Sequence, residues 1–133
     1  MGDQKIIVDT SIWIEYFRNN EKYAPLIDDN LNLENIVITR LIISELLHGV
    51  KSSKEYDMLS SSIVAVPYIE SICEDWINTG KILYDLKKKG ISIPLTDVLI
   101  ASIALRSNAS VFTLDKNFKD LSLITNLNIY EDK

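Results

Sequence analysis

Apolar positions along the chain switch between two spacings. Lys5-Ile6-Ile7-Val8 is a short apolar run closed by Asp9, as expected of a buried strand. Directly after it, Ile12, Trp13, Tyr16 and Phe17 recur at steps of three and four, which predicts a helix opened by Thr10 or Ser11. Pro25 to Leu31 reads as a short helix, and Asn35 to Thr39 as a second strand. A helix from Leu41 to Val50 follows, with Ile42, Ile43, Leu46, Leu47 and Val50 on its apolar side. Lys51 to Ser62 reads as an exposed helix, and Ile63 to Val66, stopped by Pro67, as a third strand. From Ile69 to Lys89 the positions Ile69, Ile72, Cys73, Trp76, Gly80 and Leu83 predict the longest helix, with this stripe packed inward. Lys87, Lys88, Lys89 and Gly90 supply its stop. Pro94 precedes the cap-like Thr96, and Val98 to Leu105 is apolar almost all round, so that helix should be central. Ser110 to Leu114 reads as a fourth strand, Lys116 to Leu121 as a short helix, and Asn128 to Tyr130 as a marginal fifth strand.

Strands alternating with helices of these lengths favour an α/β fold. We expect one domain over residues 1–133, with a mostly parallel central sheet of about five strands flanked by helices on both faces. Right-handed crossovers bring successive strand ends to one edge, where open α/β sheets hold ligand and catalytic groups. A chain of 133 residues, 47% apolar and 25% charged, can build a core without disulfides or structural metal. Cys73 is the single cysteine, which excludes an internal disulfide and suits a reducing compartment. The opening apolar run ends at Asp9, and no stretch approaches the about 20 apolar residues of a membrane span. The expected location is therefore the cytoplasm. A net charge of −5 argues against a passive grip on nucleic acid through a basic face. It argues less against acids gathered round divalent cations, because the cations neutralise them and let phosphates approach.

Four acids fall at places where this matters. Asp9 closes the first strand, Asp115 follows the fourth in VFTLDKNF, and Asp97 lies in the first turn of the central helix. Glu45 sits mid-helix in TRLIISELLHG. Each aspartate has a purely structural role open to it, as cap, turn residue or partner of a helix dipole. Glu45 is harder to explain that way, because a carboxylate among leucines and isoleucines must reach solvent, a partner or a metal. Carboxylates that converge repel one another unless protons or cations compensate. Mg²⁺ and Mn²⁺ are hard ions that take oxygen ligands. Two such ions about 4 Å apart can activate a water and stabilise the leaving oxygen of a phosphodiester. No serine–histidine or cysteine–histidine pairing and no glycine-rich phosphate loop competes for the chemistry. His48 is the sole histidine; it shares the side of Glu45, as a neighbour of the acids or as an ordinary partly buried residue.

Taken together, Ile7-Val8-Asp9-Thr10-Ser11 with Trp13-Ile14, Glu45 in SELLHG, Asp97 in PLTDVLIASIA and Asp115 in VFTLDKNF resemble the four acidic motifs of PIN-domain ribonucleases. The resemblance is strongest to the VapC toxins of toxin–antitoxin pairs, and it spans the chain in the right order. Each motif is short and weakly specific; their conjunction is specific. The resemblance implies an endoribonuclease that hydrolyses RNA phosphodiesters with water activated by Mg²⁺ or Mn²⁺, one or two ions, and forms no covalent intermediate. It implies that Asp9 and Asp97 hold the metal most directly, with Glu45 and Asp115 as further or water-mediated ligands. Thr113, Thr10 and Ser11 would lie close by, where capping or packing is as natural a role as orienting water. It also implies a homodimer and a cognate antitoxin that inserts a segment near the acids, where an arginine can pair with them. Trp13, Tyr16, Phe17 and the helices over 23–31 and 41–58 offer apolar surface for partners, or simply fill the core.

Two other readings stay open. A haloacid-dehalogenase-like phosphatase also places an aspartate at the first strand end, but needs a second one two residues later, where Ser11 stands. A PIN-like fold kept only for protein interaction would not need all four acids. Within the family, a housekeeping RNA-processing nuclease is the alternative to a toxin.

Overall fold

A computed structural model describes residues 4–131 of the chain; residues 1–3 and 132–133, which the single-domain expectation includes, lie outside the described ones. Strand β1 (Ile6–Val8) runs into helix α1 (Thr10–Phe17), and α2 (Ala24–Asn32) leads to β2 (Ile36–Val37). Helices α3 (Arg40–His48), α4 (Ser53–Ile63), α5 (Cys73–Lys88) and α6 (Leu95–Ser107) follow in turn. Strand β3 (Ser110–Phe112), helix α7 (Lys116–Ile124) and strand β4 (Asn128–Ile129) complete the order.

The strands form one sheet in the order β2-β1-β3-β4, and every pairing is parallel. Ile6 stands opposite both Ile36 and Ser110, and Val8 opposite Phe112. All three residues of β1 are buried, so both faces of the sheet are covered, as parallel sheets require. Parallel pairing also sends the carboxyl ends of all four strands to one edge. The backbone N–H of Asp9 donates to the carbonyl of Phe112 at 2.9 Å, so Asp9 stands directly beside Thr113 at that edge.

The α/β class and the parallel sheet agree with the sequence. The strand expected at Ile63 to Val66 does not form. Helix α4 continues through Ile63, and the serine hydroxyls of its last turns donate to carbonyls one turn back, Ser61 to Asp57 at 2.9 Å and Ser62 to Met58 at 2.9 Å. Ile63 and Val66 are apolar because they are buried in the core from a helix end and a turn. The extended contact comes slightly later, as an isolated parallel bridge between Ile38 and Tyr68. Four strands and a bridge thus stand where about five strands were expected.

Helix α6 is buried without a break from Val98 to Ala104, which makes it the central helix. It begins at Leu95, with Pro94 at the N-cap position, so Thr96 lies inside the first turn and caps nothing. Helix α5 packs along it, but not through the stripe predicted to point inward. Cys73 and Gly80 are exposed, and Trp76 is 51% exposed. The buried face carries Asp75, Thr79 and Leu86 instead. Asp75, 0% exposed, accepts from Arg106 Nε at 2.7 Å and from the backbone N–H of Ile72 at 2.9 Å. Arg106 Nη2 also donates to the carbonyl of Glu70 at 2.7 Å, and Thr79 Oγ1 donates to Ser102 Oγ at 2.9 Å. This polar seam fixes how α5 rolls against α6. Gly90, at φ +71°, then turns the chain back toward α6. Among the described residues, no helix is long and apolar enough to cross a membrane.

Arg106→Ala strips a buried carboxylate of its charged partner and should lower the unfolding free energy by about 3–5 kcal/mol. Urea denaturation at fixed pH measures it. Lys81→Ala, which removes an exposed pair with Asp85, should change stability by less than about 1 kcal/mol in the same assay.

Candidate active site

The strand ends supply the first members of the site. Asp9 occupies the N-cap position of α1, yet its side chain makes no capping hydrogen bond. It is 6% exposed, and its Oδ2 accepts two hydroxyls, Ser11 Oγ at 2.9 Å and Thr113 Oγ1 at 2.9 Å. A buried carboxylate needs such donors. Thr113 in turn accepts from the backbone N–H of Asp115 at 2.9 Å, and Ser11 Oγ accepts from that of Leu114 at 3.1 Å. The end of β3 is thereby laced to the end of β1.

Three helices bring the other acids in. Thr39, buried at the end of the β2 segment, caps α3 through Ile42 N–H, and α3 carries Glu45 toward α1. There Thr10 Oγ1 donates to Glu45 Oε1 at 3.3 Å. Asp97 lies in the first turn of α6 and accepts from Asn117 Nδ2 at 3.0 Å through Oδ2. Asp115 caps α7, its Oδ1 accepting from Asn117 N–H at 2.9 Å. The four predicted acids lie within electrostatic reach of one another, Glu45 feeling Asp9 and Asp97, and Asp97 feeling Asp115 and Asp9; Thr10, Ser11 and Thr113 each touch one of the carboxylates. His48, in the last turn of α3, is exposed rather than partly buried. Asn117 was not singled out from the sequence. Its only signal there is its place two residues after Asp115 at a helix start, a pattern common in ordinary turns.

The aspartates share one geometry. On each, one oxygen is held by donors of the protein, and the other has no hydrogen-bond partner among the described residues. The charges feel one another. Burial raises the pKa of Asp97 above the usual carboxylate range; the Asn117 bond opposes the shift, and the charges of Asp115 and Asp9 add to it. Glu45, an exposed residue of α3, is likewise pushed up, first by partial desolvation of its carboxyl and further by Asp9 and Asp97, against the Thr10 hydroxyl.

Among the described residues, no three His, Cys, Asp or Glu side chains stand close enough to form a ready-made metal cage. The donor set fits a hydrated hard cation rather than a dry one. It is all oxygen, it carries a surplus of negative charge, and Mg²⁺ keeps several waters while taking one or two carboxylates.

A PIN-domain family model matches residues 6–123. The chain is a PIN domain of the VapC ribonuclease family. It is 30% identical over 129 residues to ribonuclease VapC2 of Rickettsia felis, covering 91% of this chain and 92% of that one. The VapC ribonuclease Mb1587 of Mycobacterium bovis is 28% identical over 127 residues, covering 92% of this chain and 95% of its own length. The fold is that of VapBC2 from Rickettsia felis, solved bound to a promoter DNA fragment. That likeness has a TM-score of 0.77 at 23% identity, over 96% of this chain and 98% of that one.

Because the fold raises the pKa of Glu45 and Asp97, the folded protein holds more protons than the unfolded chain just above the usual carboxylate range. Both groups therefore weaken the fold as pH rises from that range toward neutrality. Asp97→Asn should melt at or above the wild type at pH 7 in chelator. The difference should shrink as pH falls to about 4, as read from thermal melts of the metal-free proteins.

Proposed function

We propose that this protein is the toxin of a toxin–antitoxin pair, an endoribonuclease of the cytoplasm whose cluster works with Mg²⁺ or Mn²⁺. The observation that carries the metal reading is the bare oxygen on each of three aspartates at one edge of the sheet. Asp9 and Asp97 would hold the ion through those oxygens, and Asp115 would hold a second ion or a water. A bound ion would supply Lewis acidity at the scissile phosphate and a water of lowered pKa. Glu45, whose pKa lies above its ordinary value and which is tethered only loosely to Thr10, would be the group to accept the proton that the attacking water gives up. Ser11 and Thr113 fix Asp9 by one oxygen, so it need not reorganise when substrate arrives.

The antitoxin has a seat beside this cluster. A groove of about 540 Å³ runs from Glu45 along α1 and α4, lined by Ile14, Phe17, Leu46, Val50 and Met58 among others. A segment lying in it reaches the acids at its Glu45 end, where a cationic side chain would pair with them. We assign the homodimer expected from the family to the solvent-facing stripe of α5 around Trp76, Ile77 and Tyr84.

Purified protein given single-stranded RNA and Mn²⁺ should cut it internally and leave no 2′,3′-cyclic phosphate, because water rather than the neighbouring 2′-hydroxyl attacks. Asp9→Asn and Asp97→Asn should each lower the rate at least about 100-fold, and chelator should abolish it. Cleavage that persists in both variants, or in chelator, refutes the mechanism. Met58→Asp, at an exposed position, should keep RNA cleavage and weaken capture of the cognate antitoxin by at least about tenfold in a titration.

A further inference from the structure

One side chain outside the predicted set reaches two of the acids. Asn117 stands one residue inside α7 and is half-buried. Its backbone N–H meets Asp115 Oδ1 at 2.9 Å, and its side-chain Nδ2 meets Asp97 Oδ2 at 3.0 Å. Any residue but proline would supply the first bond, since it comes from the main chain. The second needs a short side chain ending in a donor. It joins the first turn of α7 to the first turn of α6, across 20 residues of sequence.

The chemistry of that donor matters as much as its reach. An amide is neutral, so it orients Asp97 without cancelling its charge. A lysine there would satisfy the carboxylate and compete with a cation. A carboxylate would add a further like charge to a pair that already pushes Asp97 up. By holding Oδ2, the amide leaves Oδ1 of Asp97 as the oxygen turned to a ligand. Because the backbone N–H of the same residue donates to Asp115, that orientation is tied to Asp115.

We propose that Asn117 is a positioning residue for the cation site, setting the relative placement of Asp97 and Asp115 so that their bare oxygens face one ion or its waters. This rests on the metal-dependent reading of the cluster. It makes Asn117 a determinant of cation affinity, separate from its part in starting α7.

The test uses the full chain stripped of metal, titrated with Mn²⁺ and followed by the paramagnetic resonance of the free ion. The wild type is compared with Asn117→Ala and Asn117→His, the latter keeping a ring N–H donor at similar reach. Melting of each protein in chelator is recorded in parallel. Asn117→Ala should raise the Mn²⁺ dissociation constant at least about tenfold, the scale of losing a group that orients a metal ligand. Asn117→His should recover most of that loss. A role confined to folding predicts the opposite split: a lower melting temperature for Asn117→Ala in chelator and an unchanged dissociation constant for the folded protein. That result overturns the proposal. Wild-type protein that takes up no Mn²⁺ overturns the metal reading along with it, so the two failures are told apart by the wild-type titration alone.

Discussion

Two hydroxyls on one oxygen of a buried carboxylate organise this molecule. Asp9 ends the middle of the sheet, 6% exposed, and the donors Ser11 and Thr113 offset the burial of its Oδ2. Those donors come from the start of α1 and the end of β3. They can meet only if β1 and β3 are adjacent and parallel, with Val8 opposite Phe112. The register of the sheet and the chemistry of the site are thus a single constraint. Thr113 extends it by accepting from the backbone of Asp115, which starts α7.

Like charges gathered at one edge oppose folding, and the rest of the chain must hold them there. Helix α6 is the main support. Its N-terminal turn presents Asp97, its middle is buried all round, and its far end is locked by Arg106 to Asp75 and to the carbonyl of Glu70. A helix fixed at its far end and packed along its length cannot swing away to relieve repulsion at its start. The electrostatic strain is therefore met when the protein folds, and the site is arranged before any substrate approaches.

The elements nearest the site were the most legible in the sequence, for a physical reason. α1 and α3 carry apolar residues at helical spacing, β1 and α6 are apolar nearly throughout because they are buried on all sides, and the acids stand out against both patterns. Local propensity misled where tertiary partners decide. The run Ile63-Val64-Ala65-Val66 has strand-forming side chains, but α4 runs on to Ile63 and the next residues close a turn onto its end, Ala65 N–H donating to the carbonyl of Ser62 and Val66 N–H to that of Ile63. On α5, apolar residues at helical spacing pointed to a buried stripe. A charged residue takes the buried place because its partner, Arg106, lies 31 residues away and becomes a neighbour only in three dimensions. Asn117 escaped notice likewise, since nothing local shows that its amide reaches another helix.

The paired state of each aspartate, one oxygen held and one bare, bears on which cation suits the cluster. Two oxygens that are equivalent in the free amino acid have become distinct, and an incoming ion meets a single oxygen on each side chain. Ca²⁺ prefers six to eight oxygens and often clasps both oxygens of a carboxylate, whereas Mg²⁺ accepts one per carboxylate and fills its octahedron with water. The hydroxyls, the amide and the backbone N–H that keep half of each carboxylate occupied would thus bear on the choice between two such ions as much as the carboxylates themselves.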